Sequence, residues 1–141
     1  MLVRLMYCSR ASTGVDGEEL SLLLRQCRSH NGDAGITGML CYSDGLFIQV
    51  LEGGRSAVNR LYQRILADTR HTDVVLLVYE EISQRRFAGW TMGQVNMARI
   101  NTAMLLKYSE RPTLDPYSVS GRVTMALFEE MLATAAVVGD R

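Results

Sequence analysis

Hydrophobic and polar residues follow two different periods along this chain. Alternation in steps of two, or a short continuous apolar run, indicates a β-strand, whereas apolar residues three and four positions apart indicate one face of a helix. The strand pattern covers residues 2–8, 37–42, 46–52, 73–82 and 90–97. The helix pattern covers residues 16–31, 56–68, 100–108 and 118–133. The elements therefore follow the order βαββαββ and end in two further helices.

This order predicts an α+β fold of the ferredoxin-like type, a mixed sheet with two helices on one face. The other face of that sheet needs a cover, and we expect the two C-terminal helices to supply it. We assign residues 1–97 to one domain and residues 98–141 to a helical cap packed on the same domain. The 141 residues suit a single ordinary domain.

Local signals indicate where several elements begin and end. Asp16, followed by Glu19 three residues later, resembles a capping box at the start of the first helix. Gly32 and Gly35 close that helix. A short Gly-containing turn at residues 43–45 joins the second and third strands as a hairpin.

The last two strands are predicted from pattern alone. Residues 74–79 are continuously apolar, which predicts that residues 73–82 form an interior strand. In residues 90–97, alternation places four side chains on one face of the final strand: Trp90, Met92, Gln94 and Asn96.

Three polar side chains fall on apolar faces of the predicted elements. Tyr7 alternates with Val3 and Leu5 on the first strand, Gln49 lies on the third strand, and Asn31 extends the apolar stripe of the first helix. Buried phenols and amides need hydrogen-bond partners. Any one of them alone would most simply be a structural core residue. Three that face the same layer favour a polar ligand between the helices and the sheet.

Composition and charge exclude several classes of function. The 15 Lys and Arg residues balance the 15 Asp and Glu residues, so we expect no affinity for nucleic acid or for an anionic membrane surface. No apolar run is long enough to span a bilayer. The three cysteines match neither a CxxC pair nor a zinc pattern, and the two histidines lack nearby co-ligands, so no metal site is predicted. Free thiols suit a reducing cytoplasm.

Four short motifs follow one another on the predicted elements. They are Y-x-S-x-A from Tyr7 to Ala11, N-x-x-x-G-I-T-G-x-L from Asn31 to Leu40, F-x-Q-x-L-E-G from Phe47 to Gly53, and R-x-F-x-x-W-x-M from Arg85 to Met92. Together these motifs resemble those of the BLUF domains, which sense blue light with a flavin. The resemblance covers roughly residues 1–97 and leaves the C-terminal part outside.

The resemblance implies a bound flavin, usually FAD, held between the first two helices with its ring near the sheet. It implies that Asn31 hydrogen-bonds a ring carbonyl and that Gln49 lies between Tyr7 and the flavin. The other residues implied at the flavin are Ile36, Phe47 and Ile65, packed on the ring, with Arg64 and Asp68 on the second helix. Arg64 and Asp68 could instead form an exposed i,i+4 ion pair, and the three apolar residues could be ordinary core.

The photochemistry that the resemblance implies is a reversible exchange of hydrogen bonds. A tyrosine, with an ordinary pKa near 10, keeps its proton in the dark at neutral pH. An excited flavin is a strong oxidant and can draw an electron and a proton from Tyr7 through Gln49, whose amide carries both an acceptor and a donor. Rotation or tautomerisation of that amide would exchange the bonds. Trp90 and Met92 are either transmitters of this change or plain core residues.

Other functions need features that the sequence lacks. A flavin-dependent oxidoreductase needs a positioned acid or base and usually a nicotinamide site, yet no G-x-G-x-x-G follows a strand. A hydrolase on the same scaffold needs a phosphate-binding loop with an arginine, and residues 12–17 contain no basic residue. A flavin-free interaction domain remains as the third alternative. A yellow protein with a reversible light-induced red shift would exclude it.

The sequence carries no recognisable output domain. We therefore expect a photoreceptor rather than an enzyme, which signals by contact with a partner protein. A homodimer is expected as well, because amphipathic stripes of this kind are often only partly covered by their own chain.

Overall fold

A computed structural model of the protein describes residues 1–134 and 137–138. The strands are β1 (Leu2–Ala11), β2 (Thr37–Ser43), β3 (Leu46–Gly54), β4 (His71–Ile82), β5 (Gly93–Val95) and β6 (Val137–Val138). The helices are α1 (Gly17–Ala34), α2 (Arg55–Ala67), α3 (Thr102–Tyr108) and α4 (Gly121–Ala133), with a 3-10 turn at Met97–Arg99. The first seven elements have the predicted order βαββαββ.

The strands form one mixed sheet in the order β4-β1-β3-β2-β5-β6. β1 lies between β3 and β4 and is antiparallel to both, whereas β5 runs parallel to β2. In the β1–β3 register Tyr7 is directly opposite Gln49. Directly opposed residues project from the same sheet face, so this pairing decides the geometry of the site described below.

Two hydrophobic cores sandwich the sheet, as predicted. The helix-side core packs α1 and α2 on the face that carries Leu5, Tyr7 and Leu51. The cap-side core packs α4 on the opposite face, with Phe128 and Met131 fully buried. The C-terminal helices therefore cover the second face. Residues 135–136 and 139–141 of the predicted cap lie outside the described residues.

Asp16, Gly35 and the hairpin turn act where the sequence predicts them, whereas Gly32, also predicted to close the first helix, lies inside α1. Asp16 is the N-cap of α1, and its carboxylate accepts a hydrogen bond from the backbone N–H of Glu19. Gly35 ends the helix with a left-handed φ of 71°. Asp44 and Gly45, with φ values of 49° and 79°, form the tight turn of the β2–β3 hairpin.

The prediction that residues 73–82 form an interior strand is wrong. Within residues 1–134 and 137–138, β4 is the edge strand of the sheet and pairs only with β1, and Val75 and Leu76 are 42% and 47% exposed. Val74, Leu77 and Val78 pack against the two cores, and the apolar residues between them face solvent. A continuous apolar run shows strand propensity but does not say how many neighbours the strand has.

The prediction that Trp90, Met92, Gln94 and Asn96 alternate onto one strand face is also wrong. Only Gly93–Val95 is strand, and the residues before it form bends, where strict alternation does not hold. Trp90 belongs to the cap-side core and Met92 to the helix-side core. Asn96 instead caps the 3-10 turn by accepting from the Ala98 N–H.

A buried ion pair holds residues 83–92, the bent segment between β4 and β5. Glu52, at the end of β3, is fully buried and receives two guanidinium contacts from Arg4, at 2.7 and 2.8 Å. Its carboxylate also accepts from the backbone N–H groups of Arg86 and Phe87, at 3.1 and 2.7 Å. This one side chain therefore fixes the start of the segment to the sheet.

The part of the chain that the structure describes contains no helix long and apolar enough to traverse a bilayer.

Candidate functional site

A cavity of about 430 Å³ lies between α1, α2 and the helix-side face of the sheet. Its walls are mainly apolar, with Leu23, Leu40 and Leu61 among them. A few polar groups converge on it, from β1, β3 and the end of α1. This size and this mixture of walls are typical of small-molecule sites.

Tyr7 and Gln49 form the polar floor of the cavity. The Tyr7 hydroxyl donates to Gln49 Oε1 at 2.6 Å, and both side chains are buried. The other end of the amide, Nε2, donates to the thioether sulfur of Met92 at 3.4 Å. Gln49 therefore has one defined orientation, with its acceptor toward the phenol and its donor toward Met92.

Burial raises the pKa of the Tyr7 phenol well above its ordinary value of 10.0, and the nearby Cys27, Asp68 and Tyr62 raise it further. The phenol consequently stays protonated throughout the physiological range. It is a stable hydrogen-bond donor, and it gives up its proton only if something first makes it a much stronger acid.

Asn31 lies in the last turns of α1 and is 2% exposed. It lines the cavity, and its Nδ2 has no hydrogen-bond partner among the residues that the structure describes. An unpaired buried amide is costly, so a ligand that offers an acceptor here is favoured. The carbonyl edge of a flavin ring is such an acceptor, and the cavity therefore fits the group that the sequence motifs imply.

Most of the predicted site residues meet at this cavity. Besides Tyr7, Asn31 and Gln49, its walls include Phe47, Arg64, Ile65 and Asp68. Ile36 is buried in the helix-side core without lining the cavity, and Trp90 packs on the other side of the sheet. Met92 reaches the site through its contact with Gln49.

Asp68 does not form the ion pair with Arg64 that the sequence left open as an alternative. Asp68 binds Arg70, with Nη2 to Oδ2 at 2.6 Å. The hydrogen bonds from Arg70 lower the pKa of the Asp68 carboxyl. Arg64 and Arg70 both line the cavity, which therefore has two cationic hydrogen-bond donors in its wall.

His71 is a site residue that the sequence did not reveal. Its ring stands edge-on to the Tyr7 ring, with centroids 6.2 Å apart. Nε2 lies 2.6 Å from the Ile65 carbonyl, which can only accept, so Nε2 carries a proton. In the neutral ring Nδ1 then accepts from the Ser9 hydroxyl at 2.8 Å. No local sequence pattern indicates these contacts of His71, because they join β4, β1 and the end of α2.

Comparison with known proteins gives a consistent result. The family described as "BLUF: Sensors of blue-light using FAD" matches residues 2–93. Photoactivated adenylate cyclase subunit beta of Euglena longa is 40% identical over 92 residues, which are 64% of this chain and 11% of that protein. The chain thus spans about a tenth of the length of that curated relative.

Two solved structures resemble the whole fold. The structure titled "BlsA photo-activated state" has a TM-score of 0.82 at 31% identity, covering 94% of this chain and 95% of that one. The structure titled "BlrB - a BLUF protein, dark state structure" has a TM-score of 0.75 at 31% identity, covering 95% and 96%. Both similarities extend beyond residue 93 into the cap.

Proposed function

The chain belongs to the BLUF family and is a blue-light photoreceptor with a bound flavin, and from that premise we propose that its switch is the hydrogen bond between Tyr7 and Gln49. The observation that carries the proposal is the 2.6 Å contact from the Tyr7 hydroxyl to Gln49 Oε1 on the floor of the cavity. Asn31 is proposed to hold the ring in place through its otherwise unpaired amide. Phe47 and Ile65 would pack on the ring from the cavity wall, with Ile36 supporting them from the core.

A bound flavin supplies a group that absorbs blue light and is a strong oxidant while excited. Tyr7 is the phenol best placed to lose an electron, and its proton then moves along the existing hydrogen bond to Gln49 Oε1. Rotation of the amide, or its shift to the imidic tautomer, exchanges donor and acceptor at the cavity floor. When the electron and the proton return to Tyr7, the hydrogen bonds differ and no covalent product remains.

The defining experiment is a light-minus-dark absorption spectrum of the purified, flavin-loaded protein. We expect a small red shift that reverses in the dark. Tyr7→Phe and Gln49→Leu should each keep the flavin and lose the shift, and the double variant should be no worse than either alone, because the two residues act as a unit. Tyr62→Phe is the matched control, since its ring lies 6.0 Å from that of Tyr7.

Three outcomes would contradict the proposal. A colourless protein that rejects added flavin would remove its basis. Persistent bleaching with substrate turnover would favour a flavin-dependent oxidoreductase. A red shift retained in Tyr7→Phe or Gln49→Leu would refute the relay between these two residues.

We propose FAD as the flavin. Support comes from the family description, which names FAD, and from three charged residues that line the cavity, Arg64, Asp68 and Arg70, which offer partners to phosphate and ribityl groups. Chromatography of the flavin released by heating should give FAD. Release of FMN would contradict this assignment.

The proposed output runs through the bent segment to the C-terminal helices and on to a partner protein. Met92 contacts Gln49 on the helix side, while Trp90, two residues earlier, packs in the cap-side core with Phe128. Residues 90–92 thus touch both cores. Illumination should change amide exchange in residues 98–134, and identical exchange in dark and light would rule out this route.

We propose that residues 1–97 are the sensor, that residues 98–141 are its cap, and that the chain acts by contact rather than by catalysis. The exposed apolar residues of the β4 edge support a homodimer. The three free cysteines fit a reducing cytoplasm. Light scattering coupled to size exclusion should report a dimer, and a monomer at micromolar concentration would contradict that part.

A further inference from the structure

The segment that carries Trp90 and Met92 is held to three different elements. The Gly38 N–H of β2 donates to the Trp90 carbonyl at 3.0 Å. Arg28 of α1 donates from Nε to the Met92 carbonyl at 3.1 Å. Gln49 of β3 donates from Nε2 to the Met92 sulfur at 3.4 Å. Met92 is therefore held by its backbone from α1 and by its side chain from β3.

Arg28 lies on the side of α1 that faces the bent segment, next to residues that line the cavity. Its neighbours Cys27 and Asn31 line the flavin cavity, whereas Arg28 is half-buried and reaches the bent segment. No ion pair found among residues 1–134 and 137–138 involves its guanidinium. One turn further along α1, a Cβ on Gly32 would lie only 3.9 Å from Thr91. The helix that faces the flavin thus runs directly beside residues 91 and 92.

The hydrogen bond from Gln49 Nε2 to the Met92 sulfur requires that Met92 be held in one position. A thioether is a weak acceptor, so it contributes little unless it is kept where Nε2 points. The strand that could fix Met92 starts only at Gly93. The Arg28 hydrogen bond supplies the missing restraint at the Met92 backbone, and a hydrogen bond from a charged donor is stronger than a neutral one.

We propose that Arg28 is a positioning residue for the light reaction, which keeps the Met92 sulfur opposite Gln49 Nε2 and so stabilises the dark orientation of the amide. This inference rests on the proposed switch between Tyr7 and Gln49. Its consequence is kinetic: with Arg28 in place, Gln49 returns to a prepared partner after illumination. Without Arg28, the segment moves, the dark orientation loses that partner, and the return slows.

The test measures the dark-recovery rate of the red-shifted state in the flavin-loaded protein. Arg28→Gln and Arg28→Ala should keep the flavin content and slow recovery about three- to tenfold, the range expected when one hydrogen bond that already forms in the transition state of the return is lost. Arg28→Lys should restore part of the rate, because a lysine can still donate to the carbonyl. Arg25→Gln is the matched control, an exposed arginine on the same helix, and should recover as the wild type does.

A double-variant cycle separates this role from a general structural one. In a Met92→Leu background the sulfur is gone, so Arg28→Gln should no longer slow recovery. An equal slowing in both backgrounds would overturn the proposal, as would unchanged or faster recovery in Arg28→Gln. If the wild type shows no red shift, the proposed function fails. If the wild type shifts and Arg28→Gln is indistinguishable from it, only the role of Arg28 fails.

Discussion

At the scale of the residue, Asn31 separates binding from photochemistry. Its side chain is buried at the end of α1 and its Nδ2 is unpaired within the described part of the chain, whereas Tyr7 and Gln49 already satisfy each other. The free amide is thus available for the ligand, and the paired residues are available for the switch.

Asn31→Ala should therefore weaken flavin binding while leaving the red shift of the bound fraction in place. Loss of one buried hydrogen bond to the ring costs about 1–3 kcal/mol, which is roughly a 5- to 150-fold rise in Kd. Titration of the apoprotein with FAD, followed by flavin fluorescence, measures the change. Asn59→Ala is the control, because Asn59 is an exposed amide on α2 that bonds Arg55 and Tyr79. An unchanged Kd in Asn31→Ala would show that the amide does not bind the ring.

At the scale of the element, the bent segment before β5 depends on Glu52. The carboxylate compensates the buried Arg4 and also accepts two backbone N–H groups from the segment. Arg4 also contacts Glu80 at 2.7 Å, but that side chain is 49% exposed. One arginine thus binds one buried and one solvent-facing carboxylate.

This pair gives a matched stability prediction. Glu52→Gln should lower the free energy of unfolding by about 3 kcal/mol or more, because it removes a buried charge that compensates another. Glu80→Gln should cost less than about 1 kcal/mol, because water screens the exposed pair. Urea denaturation followed by circular dichroism compares the two. Similar losses of unfolding free energy in both variants would mean that burial does not determine how much the Glu52 ion pair stabilises the fold.

Elements with local signals could be predicted from the sequence. The caps of α1, Asp16 and Gly35, could be predicted because capping and a left-handed φ depend on residue type. Tyr7 and Gln49 could be placed on one face because strict alternation holds along β1 and β3. The edge position of β4 could not be predicted, since it depends on which strands pair, and neither could the separation of Trp90 from Met92. Long-range hydrogen bonds hold that bend, from residues 86 and 87 to Glu52 and from Gly38 and Arg28 to the Trp90 and Met92 carbonyls, and no periodic sequence pattern indicates them.

At the scale of the whole molecule, buried thiols and a buried phenol link stability to alkaline pH. Burial raises the pKa of the Cys41 thiol from 9.0 to about 12, and it raises the pKa of the Tyr7 phenol above 10.0. In the unfolded chain these groups ionise near their ordinary values, so above about pH 9 the unfolded state binds fewer protons than the folded state. Stability is complete below that pH and falls as the pH rises further.

Each such group should lower the free energy of unfolding by at most about 1.4 kcal/mol per pH unit in this range. Urea midpoints at several values between pH 8 and 10.5 should fall for the wild type and fall less steeply for Cys41→Ala, which removes one of these protons. An identical pH dependence in that variant would show that Cys41 ionises as easily in the fold as outside it.

Flavin binding at the cavity beside Asn31 should also affect how much of the protein a cell retains. A ligand that binds only the native form stabilises it by RT ln(1 + [L]/Kd), which is about 2.7 kcal/mol when free ligand is a hundredfold above Kd. Newly made chains without flavin lack that contribution and are the more readily degraded ones. Riboflavin supply would then set how much receptor a cell keeps, and starved cells would become less sensitive to light by losing the protein itself.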